Sequence, residues 1–341
     1  MRLRYFVRDL PLREAFSTSR GTRTSSAQVF IELEDSQHIG FGACVPEDHK
    51  GYSLRRICLE LDELQRRVDF DSLPLVIEEL ISTGNGAITE GLCRNSLSGV
   101  VMAALDLRAK QFNRSLSQLM DVSLEEVCSF KTVTLTDLSM VDLILERYQH
   151  WVGIKIKAGP QFDLGPVTRL RERYSGLIIV DANGSWDFPQ AIHYMQQLEA
   201  LQIDIVEEPI SHSHAQLRDE CQLQYMRWFA DESCHSITDI NNLAGVIDGV
   251  VLKQNKSGGL LSVQEQLLYA RSLSLGVILG CKVESQIGIA ACVQLAQPGV
   301  YFDLDGHCYL RDDVFVGLHT DEVTGSMVVN KTAGIGVHIV E

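Results

Sequence analysis

The chain has 341 residues, 45% of them hydrophobic and 22% charged. This balance excludes a disordered, collagenous or coiled-coil chain. At roughly 100–200 residues per domain it suggests one large domain, or a large one with a smaller companion. Against 30 basic residues stand 45 acidic ones, a formal charge of −15 at pH 7. Phosphates would be repelled by that charge, so nucleic acid is not expected as a partner, whereas a cation site is favoured.

Residues 1–50 read as strands and turns. The segment AQVFIELED alternates apolar and polar residues as a half-buried strand does. Before it, STSRGTRTSS reads as a polar loop whose arginines, Arg20 and Arg23, can face a ligand. From 53 to about 120 the spacing turns helical, as in LRRICLELDELQRRV and RNSLSGVVMAALDLRAKQF. Residues 1–120 are therefore expected to form an α+β unit. From about 130 onward eight short apolar segments recur, each followed by room for a helix: KTVTL, VGIKIKA, LIIVDANG, IDIVEEP, RWFADES, GVVLKQN, GVILGCKVES and VYFDLDG. Regular alternation of buried strand and amphipathic helix implies parallel strands, and eight units imply a closed TIM-type barrel over 121–321, less regular in its last crossovers. The tail, about 322–341, is expected to return to the N-terminal unit.

Cysteine supplies no chemistry in this reading. The nine thiols are scattered without a Cys-x-x-Cys pair, as in a reducing cytoplasm. MRLRYFVRDLPLREAF lacks the apolar core of a signal peptide, and no apolar run approaches the roughly 20 residues of a membrane span. A cytoplasmic protein without a membrane partner is expected. His212 and His214 form a His-x-His that reads as an exposed loop, and GNGAITEG lacks the context of a dinucleotide site.

The informative charges close the barrel segments. In order they are Lys155 and Lys157, Asp181, Glu207, Asp231, Lys253, Glu284, Asp303 and Asp305. From Lys157 the first four steps are 24, 26, 24 and 22 residues, about one βα unit each. A parallel barrel brings such strand ends to one point at its carboxyl face. Three carboxylates on consecutive strands, Asp181, Glu207 and Asp231, form an all-oxygen donor set that suits Mg²⁺, with Mn²⁺ as the alternative. Lys157 and Lys253 lie on opposite walls of the closed barrel. Two amines facing each other across a metal-held carboxylate suit removal of a proton from the adjacent carbon on one face and its return on the other.

These residues resemble a known family. IKIKAG is similar to the Lys-x-Lys strand of the muconate-lactonizing subgroup of the enolase superfamily, in which lysine bases act beside magnesium. VDANGSW, VEEP and ADES resemble its three metal-ligand segments, and KQNKSGG its Lys-x-x-Lys-x-Gly-Gly motif. The resemblance implies a modified (β/α)7β barrel under an N-terminal α+β capping domain. Within the subgroup, SRGTRT, GCKVES and DLDG look most like dipeptide epimerases of the L-Ala-D/L-Glu type. This implies that Lys157 and Lys253 are the acid/base pair, that Asp181, Glu207 and Asp231 hold the metal, and that Asp303 and Asp305 hold the α-ammonium of a dipeptide. Lys155, Thr132, Arg23, Glu284 and Lys282 complete the substrate-binding candidates, and a homo-oligomer is implied. The chain departs from the pattern at Ala43, where a glutamate is frequent, at Lys282, where an apolar residue is usual, and at Gln254, where leucine is common. Arg20, Arg23, Lys50 and Lys282 are the residues available to an acidic side chain. By period two, Lys282 is expected beside the buried Glu284. Two rivals share the pattern: a lyase of the same scaffold, either a cycloisomerase or an o-succinylbenzoate synthase, and a non-catalytic metal-binding barrel.

Overall fold

The computed structural model describes residues 2–18, 21–67, 78–79, 90–135 and 137–340. Arg20 and nearly all of the GNGAITEG segment lie outside them. The chain opens with an antiparallel meander of β1 (Arg2–Thr18), β2 (Gly21–Glu34) and β3 (Ile39–Cys44). The helices α1 (Leu54–Arg67) and α2 (Arg94–Gln111) come after it. Ile57, Leu61 and Leu64 give α1 a single buried face.

The half-buried strand expected at AQVFIELED is covered on both sides. Val29, Phe30, Ile31 and Leu33 are all buried. One face lies under α2. The other rests on the barrel, where Ser26 Oγ donates to the Val283 carbonyl (2.7 Å), Gln28 Oε1 accepts from the Ser285 N–H (2.9 Å), and the Phe30 ring meets Phe315 at 5.5 Å. Contact with a second unit is what removes the polar alternation.

After the short β4 (Val127–Cys128) the barrel strands run β5 (Lys131–Val133), β6 (Gly153–Lys157), β7 (Leu177–Asp181), β8 (Ile205–Glu207), β9 (Arg227–Ala230), β10 (Gly249–Leu252), β11 (Gly276–Gly280) and β12 (Val300–Asp303). They form one parallel sheet in chain order. A parallel bridge between Ser129 and Phe302, with the Phe130 N–H donating to the Phe302 carbonyl at 2.7 Å, joins the first strand to the last. The crossovers carry α3 (Ser139–Tyr148), α4 (Leu164–Arg171), α5 (Phe188–Ala200), α6 (His214–Cys221), α7 (Ile237–Leu243), α8 (Leu260–Ser272) and α9 (Gln286–Val293). Asp163, Asp187 and Ser236 cap the starts of α4, α5 and α7 by accepting from first-turn N–H groups. Eight strands with seven intervening helical crossovers make a (β/α)7β barrel, and a 3₁₀ turn, Asp305–Tyr309, follows the last strand.

Strand periodicity builds the site. Phe130, Ile179, Ile205, Phe229, Val251 and Ile278 point inward and form an apolar plug. Two residues further along each strand, on the same inward face, come Thr132, Asp181, Glu207, Asp231, Lys253 and Gly280. Residues of opposite parity, such as Ile156, Val180, Val206, Trp228 and Leu252, are buried under the helices. Both phenylalanines of the plug need a glycine beside them, because a Cβ on Gly249 would lie 2.3 Å from Phe229 Cε1 and one on Gly153 2.6 Å from Phe130 Cδ1.

The last residues touch both units. β14 (Leu318–Thr320) pairs with β15 (Ser326–Val329), which pairs with β4, while β13 (Phe315–Val316) pairs with β16 (His338–Ile339). The Ile335 N–H donates to Asp106 on α2 at 2.8 Å.

Candidate active site

At the carboxyl end of the barrel a cavity of about 400 Å³ opens below the capping residues Gly21, Thr22, Arg23 and Glu47. Lys155, Lys157, Asp231, Lys253, Asp303 and Asp305 are in its wall. Lys157 ends β6, and Lys253 directly follows β10. Three strands separate these two positions whichever way round the barrel is taken, so they stand on opposite walls.

Asp181, Glu207 and Asp231 are buried, at 0%, 0% and 3% exposure. Cross-strand register sets Lys157 opposite Asp181 and Asp181 opposite Glu207. Each carboxylate meets an amine. Lys157 Nζ lies 2.5 Å from Asp181 Oδ2 and Lys253 Nζ 2.5 Å from Asp231 Oδ2. Lys155, 1% exposed, reaches Asp303 Oδ2 at 2.7 Å, Glu207 Oε1 at 2.9 Å and Asp181 Oδ2 at 3.1 Å. Lys256, the second lysine of KQNKSGG, donates to Asp231 Oδ1 at 2.7 Å.

Burial raises the carboxyl pKa of Asp181 and Asp231, but the surrounding lysines outweigh it and hold both well below the usual range. Glu207 goes the other way. Burial and the charge of Asp181 overcome Lys155 and push it up to about 8. The amine of Lys155 is raised, since Asp303, Glu207 and Asp181 outweigh its burial.

Among the described residues no group of three or more His, Cys, Asp or Glu side chains stands ready to hold a metal ion. The triad's oxygens are turned onto lysines. Its chemistry nonetheless fits a hard divalent cation: three buried carboxylates on successive strands, with no His or Cys among them. Glu207 Oε2 is buried and lies 2.8 Å from Lys155 Nζ, yet receives no hydrogen bond.

Other residues named from sequence take different places. Thr132 lines the cavity and is bonded to the carboxylates of the eighth strand, its N–H to Asp305 Oδ2 at 3.0 Å and its Oγ1 to Asp303 Oδ1 at 3.2 Å. Arg23 is exposed at the mouth. Glu284 is buried and pushed up to about 7 by that burial. Its carboxylate accepts from the Lys282 backbone N–H (2.9 Å) and from Gln254 Nε2 (3.4 Å), not from the Lys282 ammonium, which reaches across to Glu47 Oε1 at 2.7 Å. Strand β11 ends at Gly280, so period two no longer governs Lys282. Lys50 joins the same carboxylate at 3.6 Å. His212 is exposed, while His214 begins α6, packs on the Trp228 ring at 5.5 Å and lies 3.5 Å from Glu208 Oε1.

Glu47, Lys131, Lys256 and Tyr309 escaped the sequence reading. Lys256 had a signal in its motif. Lys131 had a weaker one, as a lysine opening an otherwise buried strand. All nine cysteines are free, and among the described residues no helix is long and apolar enough to cross a membrane.

Comparison with known proteins agrees with this architecture. A hydrophobic dipeptide epimerase of Roseobacter litoralis is 29% identical over 327 residues, covering 93% of each chain. The structure of a dipeptide epimerase from Cytophaga hutchinsonii, complexed with Mg and the dipeptide D-Ala-L-Val, superposes with a TM-score of 0.88 at 24% identity, covering 99% of this chain and 95% of that one. A muconate lactonizing enzyme from Pseudomonas fluorescens superposes with a TM-score of 0.85 at 21% identity, covering 99% and 96%. At these identities the two superpositions establish the fold. The family profile described as enolase C-terminal domain-like matches residues 139–341, and the chain belongs to that family.

Proposed function

We propose that the protein is a magnesium-dependent dipeptide epimerase that inverts the Cα of the C-terminal residue by two-base proton transfer. The observation that carries this reading is the placing of Lys157 and Lys253 on opposite walls, with Asp181, Glu207 and Asp231 on the strand ends between them. The relatives that are dipeptide epimerases, one of them solved with Mg, support it.

Asp181, Glu207 and Asp231 would hold the magnesium ion, releasing the lysines that now face them. Bound there, the ion supplies positive charge against the negative charge that develops on the substrate carboxylate as its Cα proton leaves. Lys157 or Lys253, whichever is neutral, takes the proton from its own side. The opposite ammonium gives one back, so the configuration inverts. Lys155 stays protonated among Asp181, Glu207 and Asp303 and supplies fixed positive charge near the reacting carboxylate. The Glu47–Lys282 ion pair ties the cap to the barrel at the cavity wall.

The test is a dipeptide library incubated in D₂O with magnesium, read by NMR for deuterium at the C-terminal Cα. An epimerase exchanges that proton. A lyase of this scaffold converts its own substrate and leaves dipeptides unexchanged, and a binding module exchanges nothing. Lys157→Ala and Lys253→Ala should each abolish inversion, each retaining exchange from one stereoisomer. Full epimerase activity in either variant would refute the two-base scheme.

A further inference from the structure

At the eighth-strand end of the cavity the charges are already matched within the protein. Two donors converge on Asp305 Oδ2, Lys131 Nζ at 2.9 Å and the Thr132 N–H at 3.0 Å; the Tyr309 hydroxyl lies 3.0 Å from the same oxygen but directs its single proton to the Thr132 carbonyl at 2.5 Å. Lys131 is buried and does not line the cavity, so it stands behind Asp305. Its ammonium lies 4.1 Å from the Tyr309 ring centroid, 5.6 Å from that of Tyr148 and 5.7 Å from that of Trp151. Such a cage stabilises a cation and keeps it dry. Burial alone would lower the pKa of this amine, yet Asp305 outweighs it and the net shift is upward, so Lys131 stays charged. The neighbouring Asp303 gives one oxygen to Lys155 and the other to Thr132.

We propose that Lys131 is a positioning residue that cancels the charge of Asp305, so that this end of the cavity accepts an uncharged acylated amine about as well as a free ammonium. The substrates then include N-acyl amino acids as well as dipeptides. The inference rests on the epimerase reading above. Its physical basis is local. An incoming ammonium would gain from Asp305 Oδ1, which receives neither donor, but it would also meet the fields of Lys131 and Lys155 in a poorly solvated pocket. An acyl group of the same shape forgoes that gain and avoids that repulsion.

N-Propionyl amino acids provide the comparison, because they match an L-alanyl dipeptide in shape and lack only its ammonium. With the C-terminal residue that exchanges fastest, kcat/KM for Cα exchange should differ between the two substrates by less than about tenfold in the wild type. Lys131→Met keeps the length of the side chain and its fit to the rings while uncovering the charge of Asp305. It should raise the preference for the free ammonium by at least about tenfold. A destabilised but correctly shaped variant would lose both activities together, and Lys131→Gln, with melting temperatures of both variants, separates that case. A wild-type preference for the dipeptide above about tenfold, or an unchanged ratio in a folded Lys131 variant, overturns the proposal while leaving the epimerase reading intact. Exchange of neither substrate overturns both.

Discussion

The contact between cap and barrel at Glu47 gives a prediction whose size can be worked out. Glu47 is 5% exposed and receives Lys282 Nζ from the barrel at 2.7 Å. Burial raises its pKa, but Lys282 and Lys50 outweigh this and hold it at about 2, against an ordinary 4.5. A folded-state pKa below the unfolded one adds stability above the unfolded value and loses it as pH falls toward the folded value. With one pKa unit worth a little over about 1 kcal/mol, the ionised group contributes about 3 kcal/mol at pH 7, somewhat less at pH 4 and about 1 kcal/mol at pH 3. These figures are ceilings, because burial, with added repulsion from Lys253 and Lys50, holds the Lys282 ammonium below its own ordinary range. Glu47→Gln should therefore lower the urea midpoint at pH 7 by the equivalent of at most about 3 kcal/mol, and the gap from wild type should narrow as the pH falls from 4.5 toward 3. Lys282→Met should give a similar loss, and the double variant should lose little more than either single one. A gap under about 0.5 kcal/mol at pH 7, a gap that does not change with pH, or additive single losses would refute the argument.

Three further outcomes are expected. A Cβ on Gly288 would lie 2.1 Å from Glu284 Oε2 and 3.0 Å from Gln254 Nε2, so Gly288→Ala should destabilise by about 1–3 kcal/mol, seen as a lower melting temperature; an unchanged melt would contradict it. Phe229→Ala empties the centre of the barrel plug and should remove about 3–5 kcal/mol in chemical denaturation, whereas a loss under about 1 kcal/mol would mean that the plug collapses to fill the space. Chelation with EDTA should abolish Cα exchange and magnesium should restore it, with the far-UV circular dichroism unchanged; exchange that survives exhaustive chelation would remove the metal from the proposal.

What the sequence revealed, and what it concealed, follows from chain separation. The barrel was legible because Asp181, Glu207, Asp231 and Lys253 each follow an inward apolar residue two positions earlier, Ile179, Ile205, Phe229 and Val251, and that relation lies within one strand. Lys157 and Lys253 were placed on opposite walls by counting strands. The ion pairs that shape the cavity are of another kind. Glu47 and Lys282 lie 235 positions apart, and Lys131 and Asp305 lie 174 apart. No local pattern joins such pairs, since they meet only because the barrel closes and the cap settles on it. The expected Lys282–Glu284 pairing failed for a local reason. It carried strand periodicity past Gly280, where the strand stops and the chain turns toward the cap. The alternation read in AQVFIELED was lost for a tertiary one, because the second unit supplies partners such as Ser285 and Phe315 to the face that a lone sheet would leave wet.

The layering of the barrel also bears on which residues set the reaction and which set the substrate. The plug of Phe130, Ile179, Ile205, Phe229, Val251 and Ile278 lies one pleat below the charged residues. Its work is to fix strand spacing, and any reaction run on this barrel needs it equally. Above it, Lys155, Asp181, Glu207 and Asp231 form one connected set of charges, so a change at any of them is felt by the others. Lys131 lies outside that set, whereas Glu47 is linked to it through Lys282, whose charge acts on Asp231 and Lys253. Each is bonded to a residue of the cavity wall, Asp305 or Lys282, and neither touches Asp181, Glu207 or Asp231. Substitution at Lys131 can therefore change what the cavity accepts at the Asp305 end while leaving the proton transfer between Lys157 and Lys253 in place. The measurable consequence is a split: variants of the connected set should lower kcat on every substrate alike, whereas variants at Lys131 should change the ratio between substrates. A uniform loss of kcat from Lys131→Met would place it with the catalytic set and contradict the division drawn here.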